Sequence, residues 1–153
     1  MDIQARLSEL GLTLPTPPKP IAAYVPWART GNLIFVAGQL PIVDGGLVAK
    51  GKVPAHLLLR DAQAAARQCV LNALAVVGDA IDGDWSRLVR VVRVGVFVQS
   101  VDSYTDHAKV ANGASELLVE LLGEAGRHAR AAVGVNSLPL NAPVELEMIV
   151  EVK

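Results

Sequence analysis

Between Leu88 and Gln99 the chain reads Leu-Val-Arg-Val-Val-Arg-Val-Gly-Val-Phe-Val-Gln. Strict alternation puts Val92, Val94, Val96 and Val98 on one side and Val91, Arg93, Gly95 and Phe97 on the other. Apolar groups on both sides mark a strand inside a sheet rather than at its edge. A different period governs residues 55–77. There Leu58, Ala62, Ala65, Cys69 and Ala73 recur at intervals of three and four, the repeat of a buried helical face. Pro54 suits the first turn of that helix and Gly78 its close. Ser103 with Asp106 three residues on is a helix-opening signal, and the helix it predicts runs to Leu122, ahead of Gly123.

Residues 24–29 and 33–37 read as two strands joined through Gly31-Asn32, which predicts a hairpin. Gly38, Pro41 and Asp44-Gly45-Gly46 predict a loop after it. Residues 129–135 and 144–152 are the last two strands. At the N-terminus Asp2 caps a short helix through Leu10, with Ile3, Leu7 and Leu10 on one face and Gly11 at its stop. Pro15, Pro17, Pro18 and Pro20 then predict a stiff, extended connector, which makes the helix a satellite. The organisation is therefore an arm over residues 1–20 and one domain over residues 21–153. A single strand–helix–strand crossover in an otherwise hairpin-built sheet gives an α+β fold, an α/β sandwich with two long helices on one face. The other sheet face carries Val, Gly and Ala with nothing left in the chain to cover it, so a partner subunit is expected there.

Composition narrows the classes. The chain has 153 residues, enough for one domain with its own core. It is 52% hydrophobic with a net charge of −1, which excludes a disordered chain. No apolar run approaches the roughly 20 residues that a bilayer needs. Met1 to Arg6 mixes acidic and basic residues and does not read as a secretory leader. The single cysteine, Cys69, has no internal partner, which fits a reducing compartment and a cytoplasmic protein. A charge of −1 argues against nucleic-acid binding. The mean hydropathy of +0.38 is high for a small monomer and favours an oligomer.

Much familiar chemistry is missing. His56, His107 and His128 lack metal-site spacing, and no phosphate loop or Gly-x-Ser-x-Gly elbow occurs. Cys69, mid-way along an Ala-rich helix, reads as a buried structural thiol. Arg130 stands alone among small residues, with room for a ligand, and its planar fork can hold a carboxylate at two points. It reads equally as a solvated arginine, or as one paired with Glu145 or Glu147. Those two glutamates lie two apart on one strand and share a face. Either would become a general acid or base if a pocket raised its pKa. Tyr24 and Asn112 are a strand phenol and a helix amide, each with an ordinary packing role as the alternative.

Taken in order, several segments resemble one family. They are Tyr24-Val25, Phe35-Val36-Ala37-Gly38-Gln39-Leu40-Pro41, Val96-Phe97-Val98, Asn112, Ala129-Arg130 with Val133, Leu138-Pro139 and Val144-Glu145-Leu146-Glu147. Over residues 23–152 the chain resembles the RidA/YjgF reactive-intermediate deaminases, with the N-terminal arm outside the common core. The resemblance implies a chorismate-mutase-like fold, a homotrimer whose sheets form a central barrel, and sites in the clefts between subunits. It implies hydrolysis of enamines and imines such as 2-aminoacrylate to 2-keto acids and ammonia, with no metal or organic cofactor. It gives Arg130 the substrate carboxylate and Glu147 the attacking water. Tyr24, Asn112, Ala37, the Gly31 backbone and the carbonyl near Ala132 would line the pocket. Ala37 stands where the family often has Ser, Ala132 where it often has Cys, and Ser115 where it often has an aromatic residue. Those changes leave a second reading open, a non-catalytic protein that binds or senses small carboxylates. A ribonuclease, also ascribed to the family, has little physical support in so weakly charged a chain.

Overall fold

The computed structural model describes residues 2–17, 19 and 23–153. Its elements are α1 (Ile3–Glu9), β1 (Trp27–Thr30), β2 (Leu33–Gln39), β3 (Ile42–Val43), β4 (Gly46–Leu47), α2 (Leu59–Ala80), β5 (Leu88–Gln99), α3 (His107–Leu122), β6 (Ala129–Val135) and β7 (Val144–Val152). Five strands form one sheet in the order β1-β2-β7-β5-β6. Every pairing in it is antiparallel except β5 with β6, which α3 joins as a crossover. This is the mixed-sheet α+β fold expected, with α2 and α3 side by side on one face.

Burial of β7 sets that arrangement. Val144, Leu146, Met148, Val150 and Val152 are buried, and the residues between them are only half-buried. Ile34 and Val36 of β2 and Val94, Val96 and Val98 of β5 complete the helix-covered layer. The first half of β5 departs from strict alternation. Val91 pairs with Val150 and Arg93 with Ile149, so Val92 is an extra residue in the ladder. This bulge turns Val91, rather than Val92, into the core, where it is 1% exposed.

Other boundaries moved for identifiable reasons. Pro26 has no N–H to give a ladder, and β1 begins only at Trp27, leaving Tyr24 ahead of the strand. The predicted loop at Asp44-Gly45 is a two-residue turn with both residues at positive φ, which closes the small β3–β4 hairpin. Pro54 does not open α2. Val53 is bridged to Ser100 at the end of β5, its N–H on the Gln99 carbonyl at 2.9 Å, and the helix starts six residues later at Leu59. Nor does Gly78 end α2. A side chain there would crowd Trp85, whose Cζ2 lies 3.1 Å from the Cβ position. The cap of α3 is Asp106 rather than Ser103, which sits in the turn before it.

Asp2 caps α1 as predicted, accepting the Ala5 N–H at 3.0 Å. The helix is docked rather than detached. Ile3 and Leu7 are buried in the common core, and Arg6 Nη2 donates to the Glu120 carbonyl at the C-terminal end of α3 at 3.0 Å. Pro18 and Pro20 of the predicted connector, and with them the 20/21 boundary, lie outside the described residues. Among the described residues no helix is long and apolar enough to cross a membrane. Among the described residues nothing covers the sheet face away from the helices, with Phe35 and Val133 42% and 46% exposed.

The contact of α2 with α3 depends on Gly113. A Cβ there would sit 2.6 Å from the Gln63 carbonyl oxygen, inside backbone that cannot swing away. Helix propensity alone favours Gly113→Ala by about 1 kcal/mol. Overpacking costs about 1–3 kcal/mol and should win. Urea denaturation should therefore show a net loss of stability for Gly113→Ala and a larger one for Gly113→Leu. A gain for the alanine variant would mean that the two helices separate freely.

Candidate active site

Arg130 lies on β6, an edge strand, opposite Val94 and hence on the helix side of the sheet. Its guanidinium rests along α3. Nη1 donates to Asn112 Oδ1 at 2.9 Å and to Ser115 Oγ at 3.1 Å, and Nη2 to the Ala108 carbonyl at 3.5 Å. Asn112 and Ser115 are three residues apart on α3 and so present their side chains to the same spot. No carboxylate of the described residues pairs with Arg130. The Nε–H has no partner among the described residues, and Nη2 makes only the long contact to Ala108. An Nε–H beside an Nη2–H is the pair of parallel donors that matches a carboxylate. Ala132 faces the helices two residues along the same strand and is half-buried.

Glu145 and Glu147 project from β7 on the opposite, bare face. They are not equivalent. Glu147 Oε1 accepts from Arg93 Nη1 at 3.0 Å, in a pair whose side chains are both more than two-fifths exposed. Such a pair is worth only about 0–1 kcal/mol, but it occupies the carboxylate. Glu145 has no ion-pair partner among the described residues and packs over Gly38, where a Cβ would overlap its Oε1. Burial pushes the Glu145 carboxyl above the ordinary glutamate range, and the Glu147 charge pushes it further.

A cavity of about 520 Å³ opens beside β2, lined by Tyr24, Ala37, Gly38 and Gln39, with Pro15 and Lys19 of the N-terminal arm. Asn72 of α2 holds its floor, donating to the Leu40 and Ile42 carbonyls at 2.8 and 3.0 Å. Gly31 does not reach this cavity. It forms the β1–β2 turn at φ +56°, and its carbonyl accepts from Arg29 Nε at 2.9 Å. Gly38 and Gly45 are the glycines that line the space. Cys69 is fully buried, its thiol pushed well above the usual range by desolvation first, which suits a structural role.

The chain thus brings Arg130 together with Asn112 and Ala132, and Tyr24 together with Ala37. It does not bring the two groups together. From β2 to β6 is three strand spacings, roughly 14 Å, and Glu147 is on the far face from Arg130. The sequence reading names Glu145 beside Glu147 and Ser115 at an often aromatic position, but not Gly38 as a cavity wall or His128 as a neighbour of Ser115. The pair of glutamates was visible, but Arg93, which distinguishes them, comes from another strand.

A family model described as "YjgF/chorismate mutase-like, putative endoribonuclease" matches residues 4–152. The chain belongs to the RidA/YjgF family. Among its relatives is Protein TCP17 of Trypanosoma cruzi, 43% identical over 150 residues, covering 97% of this chain and 93% of that protein. The crystal structure of Atu1372 from Agrobacterium tumefaciens, titled as a protein of unknown function, superposes with a TM-score of 0.93 at 47% identity, over 99% of this chain and 92% of that one. A more distant RidA/YjgF relative is the 2-iminobutanoate/2-iminopropanoate deaminase of Dermatophagoides farinae, 26% identical over 93% of this chain and 95% of that protein. The match to Atu1372 spans the N-terminal helix as well as the common core of the family.

The electrostatics of the glutamate pair are directly measurable. In a carbon-13 NMR titration the Glu145 carboxyl should have its midpoint above the ordinary glutamate range. Glu147→Gln removes the nearby negative charge and should move that midpoint down. An unchanged midpoint would leave burial as the whole cause of the shift.

Proposed function

We propose that the protein is a hydrolytic deaminase of 2-imino acids and their enamine tautomers, 2-aminoacrylate among them, releasing 2-keto acids and ammonia. The observation that carries this reading is the state of Arg130. It is an exposed guanidinium braced by three contacts to α3, with its side edge presented to a planar anion. A substrate carboxylate docked there leaves the adjacent C=N carbon beside the sheet edge.

The rest of the site comes from a second copy of the chain. Arg130 lies at one edge of the sheet, and the Tyr24–Gly38 cavity and Glu145 lie toward the other. A head-to-tail ring sets the β6 edge of one subunit against the β2 side of the next and also covers the bare face bearing Phe35 and Val133. A two-fold pairing of like edges, β6 with β6, would leave the two halves apart. Three-fold closure is the form that the family resemblance implies.

In this reading Glu145, rather than Glu147, handles the proton. Its pKa is raised by burial and by the Glu147 charge, which makes it a better proton carrier than an ordinary glutamate, and it is not tied to an arginine. Water adds to the imine carbon, forming a C–O bond as the C=N π pair moves to nitrogen. The Glu145 carboxylate takes a proton from that water and returns it to the nitrogen. Glu145 then carries the hydroxyl proton of the resulting carbinolamine to the same nitrogen; the C–N bond breaks, ammonia leaves and the oxygen's electron pair closes the carbonyl. An enamine first takes a proton at its β-carbon and gives one up from its nitrogen to become the imine. The imine carbon is already electrophilic, so most of what the site supplies is orientation, worth up to about 7–11 kcal/mol in ideal cases. Ala132 in place of Cys keeps the main-chain carbonyl that the family resemblance places in the pocket.

The test generates 2-aminoacrylate in situ with a serine dehydratase and follows pyruvate release. Added protein should accelerate it. Arg130→Ala should lower kcat/KM roughly hundredfold, about 2.7 kcal/mol, the worth of a charged hydrogen-bonded contact. Glu145→Gln should cost more than Glu147→Gln. Pyruvate binding without any acceleration would instead assign a carboxylate-binding role. In sedimentation the chain of 16.1 kDa should run as a trimer. Val133→Asp, on the bare face, should dissociate it and abolish turnover together. A monomeric active protein would overturn the shared-site reading.

A further inference from the structure

The groups that brace Arg130 are themselves oriented. Ser115 Oγ, which accepts from Arg130 Nη1, lies 2.9 Å from His128 Nε2. On the other side of the ring, His128 Nδ1 lies 2.6 Å from the Gly126 carbonyl oxygen. A carbonyl oxygen only accepts, so Nδ1 carries a proton. In the neutral ring Nε2 is then an acceptor, and among the described residues the one donor it meets is the Ser115 hydroxyl. With its proton committed to His128, Ser115 turns its lone pairs toward Arg130. The chain of bonds runs in one direction: Arg130 Nη1–H to Ser115 Oγ, Ser115 O–H to His128 Nε2, His128 Nδ1–H to the Gly126 carbonyl. The opposite tautomer would set two acceptors, Nδ1 and the Gly126 oxygen, against each other.

The neutral ring is the favoured form. His128 is half-buried, which holds its pKa below the usual imidazole range, and the Arg130 charge acts in the same direction against the Gly126 contact. Gly126 itself is pinned. It has no room for a side chain, since a Cβ would collide with the Leu118 carbonyl of α3. The carbonyl that selects the tautomer is therefore set by the close approach of this turn to α3.

We infer that His128, acting through Ser115, is a positioning residue for Arg130. It directs the serine lone pairs at Nη1 and so holds the guanidinium flat along α3 with its Nε/Nη2 edge turned outward. This rests on the reading of Arg130 as the carboxylate anchor. Asn112 accepts the second Nη1 proton, and the two acceptors together fix the plane of the fork. An arginine side chain has several rotatable bonds, and an anchor left to wander binds a planar anion at the cost of freezing them.

The experiment measures pyruvate binding by calorimetry on the intact protein and on Arg130→Ala, Ser115→Ala, His128→Ala, His128→Gln and the double variant Ser115→Ala/His128→Ala. Arg130→Ala should abolish binding. Ser115→Ala and His128→Ala should each weaken it about five- to tenfold. The double variant should bind no more weakly than Ser115→Ala alone, because His128 acts only through the hydroxyl. His128→Gln should recover most of the loss, its amide oxygen accepting where Nε2 does. In turnover, the His128→Ala effect should fall on KM rather than kcat. Nitrogen-15 NMR of the imidazole should report the Nδ1–H tautomer in the absence of ligand.

Normal binding by His128→Ala alongside loss in Arg130→Ala overturns the positioning role and leaves the anchor standing. Normal binding by Arg130→Ala removes the anchor, and the role of His128 with it. An additive double variant, or an Nε2–H ring, also overturns the inference, since His128 would then act on the fold and not on the serine.

Discussion

Leu146, Met148 and Val150, buried in the middle of the sheet under α2 and α3, are the constraint on which the rest depends. A strand has two faces, and once its alternate residues are committed to a helix-covered core, their neighbours must face the other way. That commitment puts Glu145, Glu147 and Ile149 on the bare face. Across β5 it aligns Val94 and Val96 with the core, and through the parallel pairing it turns Arg130 and Ala132 toward α3. The two charged groups that matter most for chemistry thus come from one hydrophobic layer and end on opposite sides of it.

In the proposed reading, turnover takes a partner. The β6 edge offers a braced guanidinium, β2 a cavity, and the central strand β7 a carboxyl whose proton affinity is raised. Each half is chemically incomplete, and the exposed apolar residues of the bare face supply a reason for association that is independent of the chemistry. The same surface that would hold subunits together would also bury Glu145 further, strengthening the desolvation that already lifts its pKa.

The bracing of Arg130 illustrates how a substitution can be absorbed. Ser115 stands where the family often carries an aromatic residue. A small hydroxyl there leaves space, and His128 fills part of it with a hydrogen bond rather than with packing. Arg130 is then held by directed donors and acceptors, which respond to tautomer and protonation in a way that an aromatic wall would not.

Periodicity in the sequence was enough to determine the order of the longer elements, the two long helices, the β1–β2 hairpin, the parallel crossover and the unfinished sheet face, though not the small β3–β4 hairpin, because burial imposes periods of two and about 3.6 that survive in the residues themselves. Asp2 as a cap and Cys69 as an inert thiol were legible for the same local reasons. The bulge at Val92, the late start of α2 after Pro54 and the docking of α1 were not, since each is decided by contacts with distant segments. The candidate site divides along the same line. Arg130 and Asn112 were recognisable as residues, yet their hydrogen bond depends on how β6 lies across α3. Glu145 and Glu147 look alike along the strand, and only Arg93 from the neighbouring strand separates a paired carboxylate from a desolvated one. Gly31 and Gly38 are both plausible ligand-facing glycines in one dimension. Only the fold puts one in a turn and the other against the cavity, because proximity in space is set by packing and not by spacing along the chain.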